Sequence, residues 1–146
     1  MLLATASAAA VPARALEDYS KPTLSEIMTI TQLRHFKLSY AGRATNWELA
    51  EYELGKMRRA FDAAAQLYPV FKSVEQAKLI DSTTKPALES IEKAIQQKDR
   101  PAFKRAFRSL TDACNACHKA AGLAFIVIRV PTSSPFSDQA IVPVRP

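Results

Sequence analysis

The sequence predicts an all-α fold, four amphipathic helices followed by an extended, proline-rich C-terminal arm, and three observations carry that expectation. Only three glycines occur in 146 residues while alanine, leucine, lysine and glutamate abound, a composition that favours helix over turn-rich β structure. Apolar residues recur three and four apart in four successive stretches, the spacing of one helix face. Capping signals stand where those stretches begin. The length suits one domain with a sizeable core.

The elements follow in order. Residues 1–15, MLLATASAAAVPARA, are small and apolar and end in Ala13-Arg14-Ala15, which reads as a signal peptide with an A-x-A cleavage site. No Lys or Arg follows Met1, as expected of a truncated or misassigned leader. Residues 16–122 are expected to form the bundle. Thr23-x-x-Glu26 offers a capping box for a first helix whose stripe is Leu24, Ile27, Met28, Thr31, His35 and Leu38, with Gly42 as its stop. Thr45-Asn46-Trp47-Glu48 reads as a second capping box. The stripe after it is Trp47, Ala50, Leu54, Met57, Phe61, Ala64 and Tyr68, and the short connection makes these two helices an antiparallel hairpin. Glu48, Glu51 and Glu53 read as solvated surface.

Residues 70–79 suggest a further helical stretch, broken around Asp81-Ser82-Thr83-Thr84. A third main helix then carries Leu88, Ile91 and Ile95, with Pro86 tolerated in its first turn. Asp99 is an N-cap for the fourth, with Pro101 just inside it and Phe103, Ala106, Phe107, Leu110, Ala113, Cys114 and Cys117 along one face. Gly122 fits the position just past its end. Residues 123–146 cannot be a fifth helix, because four prolines fall in the last sixteen residues. The apolar run Phe125–Ile128 is expected to dock on the bundle rather than stay solvated.

The chemistry concentrates in Cys114-Asn115-Ala116-Cys117-His118. Cys-x-x-Cys-His is the attachment signature of c-type haem: two thiols add to the vinyl groups and the adjacent imidazole becomes an axial ligand. On a helix, residues three and four apart share a face, so both thiols and His118 can meet one flat ring. The competing readings are a redox dithiol, a disulfide or half a zinc site. These two are the chain's only cysteines, so a second pair for zinc is missing, and no βαβ setting for a thioredoxin-like dithiol precedes them.

Twenty basic against fourteen acidic residues leave +6, spread along helices. No basic–aromatic cluster or groove-reading motif accompanies it, so nucleic acid is not an expected partner; an acidic redox partner is. No run of 18 apolar residues could form a transmembrane span. No nucleophile–base pair stands at recognisable spacing, so the chain does not read as an enzyme.

Four amphipathic helices with CNACH late in the last resemble the class II c-type cytochromes, the cytochrome c prime family and its low-spin relatives, over roughly residues 20–122. The resemblance implies an up-down-up-down bundle holding one haem c, with its iron, between helices at one end. It also implies a periplasmic location, frequent homodimers, and either electron transfer or binding of small gases such as NO and CO. The chain departs from the family in Lys119-Ala120-Ala121-Gly122, where an aromatic and an arginine are usual, and in its C-terminal extension.

In such a bundle the end of the fourth helix faces the start of the first, so Met28 lies nearer the iron than His35, about 10.5 Å further along the helix. Met28 looks like the distal methionine of the low-spin relatives; His35 is the alternative ligand, and an open position is the third outcome. Met57, mid-stripe on the second helix, reads as core. Gln32 is a candidate polar contact beside the ring, Arg34, Arg43 and Lys119 are candidate partners of its propionates, and Trp47 is a core anchor or a pocket wall. The expected function is electron transfer by a His118/Met28 haem protein, with a five-coordinate gas-binding protein as the alternative.

Overall fold

The computed structural model describes residues 21–133 and 141–143. The expected signal peptide, residues 1–15, and the tail stretches 134–140 and 144–146 lie outside the described residues. Among the described residues the regular elements are helical: α1 Leu24–Arg43, α2 Trp47–Leu67, α3 Gln76–Leu79, a π segment Ile80–Thr84, α4 Lys85–Gln96 and α5 Arg100–Ala120. None is long and apolar enough to cross a membrane.

α1 begins as its sequence dictates. Thr23 accepts from the Glu26 amide at 3.3 Å, and the Glu26 carboxylate accepts from the Thr23 amide at 2.7 Å, so two otherwise unpaired donors are satisfied. Ile27, Thr31, His35 and Leu38 turn inward along one face. The opposing stripe on α2, from Ala50 through Leu54, Met57 and Phe61 to Ala64, is buried as its periodicity predicts. α5 contributes Phe103, Phe107 and Leu110, with the two rings stacked at 5.9 Å. α1 packs mainly on α2 and α4 mainly on α5, with α1–α5 and α2–α4 contacts joining the pairs.

The structure differs from the sequence expectations at several places. Gly42 does not stop α1. It lies within the helix, and a Cβ there would come within 2.1 Å of the Phe103 ring. Its role is close approach between α1 and α5. The turn-forming residue is Thr45, at φ 57°, where the amides of Thr45 and Asn46 bond back to the carbonyls of Gly42 and Ala41. Consequently Asn46, not Thr45, caps α2, its side-chain oxygen accepting from the Leu49 amide at 3.2 Å.

Glu53 is the third difference. It is 1% exposed and paired with Arg34 at 3.0 Å, because it falls on the side of α2 that faces α1. The fourth is the expected break at residues 81–84. The chain instead passes from α3 through the π segment into α4 without a stop. Pro86 has no amide to give the Ser82 carbonyl, and its ring would press on that oxygen in a regular α ladder. Widening the ladder relieves this, as the Lys85 amide reaching the Ile80 carbonyl shows.

The helical stretch expected over residues 70–79 is confined to α3; before it, Phe71 and Val74 form an isolated bridge around Lys72 and Ser73, whose positive φ angles are incompatible with a helix. Tyr68 anchors the end of α2 by donating to the Pro22 carbonyl at 3.0 Å.

Two glycines test this packing. Gly42→Ala should lower the urea midpoint by the equivalent of about 1–3 kcal/mol through overpacking against Phe103. Gly55→Ala, in the interior of α2 with open space around its added Cβ, should stabilise by roughly 0.5–1 kcal/mol through helix propensity.

Candidate functional site

The core is tight around Phe103 and Phe107 and gives way to a cavity beyond them. That cavity, about 620 Å³, lies where the start of α1, the end of α2, the π segment and the end of α5 converge. Its size falls within the roughly 300–1,000 Å³ typical of pockets for drug- and cofactor-sized ligands. The walls are mainly apolar: Leu24 and Met28 from α1, Phe61 and Tyr68 near the end of α2, and Phe71 from the bridge. The π segment adds Ile80 and Thr84. Extra residues inside a helix often mark a functional wall, and here they turn two side chains into the same space.

Cys114, Cys117 and His118 line this cavity together, as their spacing on one face of α5 predicts. Both thiols are free. Burial pushes the Cys114 thiol up to about 12, with the neighbouring Cys117 adding to the effect, and burial also raises Cys117. They sit in the last two turns of α5, at the negative end of the helix dipole. A catalytic dithiol needs the reverse, a helix N-terminus and a depressed pKa, so this environment disfavours redox-dithiol chemistry.

His118 is oriented from outside the helix. Its Nδ1 lies 2.8 Å from the carbonyl oxygen of Ile126. A carbonyl only accepts, so Nδ1 carries a proton, and the tautomer this selects for the neutral imidazole has its lone pair on Nε2. The chain reaches that point through a reversal at Gly122, at φ 70°, where the Gly122 and Leu123 amides bond to the Lys119 and His118 carbonyls. Gly122 is therefore the residue just past the helix end, as expected. The following residues run back over α5, and Leu123, Ile126 and Ile128 line the cavity. Phe125, Ile126 and Val127 are 79%, 41% and 59% exposed, so the expectation that this run is covered fails for most of it, and its docking is limited to the edge that Ile126 and Ile128 present to the cavity. Asn115 holds this strap with two bonds to the backbone of Ile128.

The other expected site residues divide. Met28, Gln32 and His35 line the cavity with the motif. Arg34, Arg43 and Trp47 are not among the lining residues. Arg34 is committed to Glu53, Arg43 lies over the Tyr40 ring and donates to the Pro131 carbonyl, and Trp47 packs edge-on against Phe103. Lys119 is exposed on the last turn of α5. Met57 is fully buried in the core.

His35 marks the boundary between packed core and cavity. It is 3% exposed, 4.4 Å centroid to centroid from Phe107, with Nε2 at 2.9 Å from Thr111 Oγ1. The Thr111 hydroxyl donates its own proton to the Phe107 carbonyl, so it accepts from His35, and the proton of His35 sits on Nε2. That nitrogen is thereby engaged in the core.

Sequence reasoning did not find Thr31, Phe71, Gln76, Ile80 or Thr84 as cavity walls. Phe125, Ile126, Val127 and Ile128 are all apolar, so no alternation in the sequence could have told which of them face the cavity. Among the described residues, no three His, Cys, Asp or Glu side chains converge as a direct chelating set. No known family model, curated protein or solved structure matches the chain.

Burial depresses the His35 pKa from 6.5 to about 4, so the folded state holds the neutral ring. Its contribution to stability is complete above the unfolded value and is lost as pH falls from 6.5 towards 4, where the unfolded chain takes up the proton first. Urea unfolding should show a loss of about 2 kcal/mol from this group between pH 7 and pH 5. His35→Gln should remove that part of the pH dependence.

Proposed function

We propose that the chain is an exported c-type cytochrome, an up-down-up-down bundle carrying one covalently attached haem on Cys114 and Cys117. His118 is the proximal iron ligand and Met28 the distal one, and the protein transfers electrons without acting on a substrate. The observation that carries this reading is the convergence of both thiols, His118 and Met28 on one cavity of cofactor size. The donor set fits the group. Two thiols on one helix face can form the two thioether links, and the imbalance of the His118 ring leaves Nε2 as its donor nitrogen.

The bound haem would supply a one-electron change at iron. The chain's residues shape that chemistry. The Ile126 carbonyl orients the His118 imidazole and makes it a stronger donor. Apolar side chains from α1, α2, the π segment and the strap exclude water and hold the local dielectric low. The engagement of His35 Nε2 by Thr111 favours Met28 over His35 as the sixth ligand. Attachment of this haem type takes place outside the cytoplasm, which agrees with reading residues 1–15 as an export leader and with a periplasmic location. The charge of +6 favours an acidic redox partner.

The test is a peroxidase stain on a denaturing gel, followed by visible spectra of the reduced protein with and without carbon monoxide. Covalent haem with sharp low-spin bands that ignore the gas is the expected result. A high-spin spectrum that shifts with carbon monoxide would replace the carrier with a five-coordinate gas-binding protein, and absence of covalent haem would exclude both. Met28→Ala should open the iron to carbon monoxide; an unchanged spectrum would refute the Met28 assignment.

A further inference from the structure

The second residue of the motif, Asn115, has a task of its own. It stands three residues before His118, so the two side chains share a face of α5. Opposite them lies the strap that returns from Gly122. Asn115 Nδ2 donates to the Ile128 carbonyl at 2.9 Å, and the Ile128 amide donates to Asn115 Oδ1 at 2.8 Å. His118 Nδ1 donates to the Ile126 carbonyl at 2.8 Å, two residues earlier on the strap. The Ile126 amide in turn bonds to the Leu123 carbonyl at 2.8 Å. The strap is thus tied at its start by the reversal at Gly122, then by the Asn115 amide at Ile128, and beyond that by Arg43, which donates to the Pro131 carbonyl. The carbonyl that meets His118 hangs between the first two of those ties.

We propose that Asn115 is a positioning residue for the proximal ligand: by clamping Ile128 it holds the Ile126 carbonyl on His118 Nδ1. This rests on the haem reading above and deepens it. A carboxamide suits the task because it presents one donor and one acceptor in a plane, matching the amide and carbonyl of a single residue. Alanine offers neither group. Without the clamp, the stretch between the reversal and Pro131, with Phe125 and Val127 outward, has only the partial burial of Ile126 and Ile128 to set its register. The Ile126 carbonyl then leaves the imidazole. A ring without that acceptor is a weaker donor, which favours the reduced iron.

The experiment compares full-length wild type, Asn115→Ala, Ile128→Pro and the double variant, the proline removing the strap's own donor. Three quantities are measured: hydrogen exchange at the residue 128 amide (in the variants that retain it), the proton on His118 Nδ1 by nitrogen-15 NMR of the reduced protein, and the reduction potential. Asn115→Ala should speed exchange at Ile128 at least tenfold and loosen the Nδ1 proton. It should also raise the reduced-to-oxidised ratio at fixed potential about tenfold, which is about 59 mV for one electron. Ile128→Pro should shift the potential in the same direction, and the double variant should add little, since both break one clamp. Faster exchange at Ile128 with an unmoved Nδ1 proton and potential would overturn the positioning role, as would additive shifts in the double variant. If no haem is attached, the haem reading fails by itself. The Ile128 exchange and the His118 ring proton, measured on the same full-length chain, still decide whether Asn115 positions the imidazole.

Discussion

The geometry of the molecule depends on one close approach, the Phe103 ring lying where a side chain on Gly42 would have to be. It brings α1 and α5 together at the end of the bundle away from the cavity. Nearer the motif the same two helices are joined by the His35–Thr111 bond. Beyond that they are separated by the space that Met28, Cys114 and His118 line. The two helices therefore diverge from a tight contact to an open wall. Leu38, Met57, Phe103 and Phe107 fill the narrow part. A larger residue at position 42 would push on the helix pair at its pivot, and the effect would be felt at the cavity as well as locally.

Much of the helical layout was legible in the sequence, and the reasons are local. Thr23 with Glu26, Asp99 with Pro101, and Gly122 each act through residues a few positions away, so pattern and outcome coincide. The motif's facial alignment likewise needs only the helix repeat. The failures have a different origin. Gly42 looked like a stop because glycine commonly ends helices, but its reason is a ring 61 residues away in the chain. Glu53 looked solvated because its partner, Arg34, lies on another helix. The Asp81–Thr84 stretch looked like a break because polar, hydroxyl-rich composition is common to loops and to widened helical turns.

The candidate site shows the same division. Cys114, Cys117 and His118 could be named from spacing, because they share one helix face, whereas Met28 was named from the family resemblance and the helix order it implies. Arg34, Arg43 and Trp47 could not be assigned, since charge and aromaticity alone say nothing about which end of a bundle a side chain occupies. Glu53, Pro131 and Phe103 respectively have claims on them. The strap was the hardest to read. Its β-branched composition predicted an extended segment, but only the backbone geometry after Gly122 lays it against α5.

The position of the strap in the chain also bears on the order of folding. Its bonds to α5 span 8 and 13 residues, whereas the His35–Thr111 bond spans 76. Closing a short loop costs less chain entropy than closing a long one. One flank of the cavity, from Cys114 to Ile128, is thus a contiguous local unit that can acquire its register while α1 is still undocked. Meeting the other flank requires the whole bundle to assemble, so the two sides of the site belong to different stages of folding.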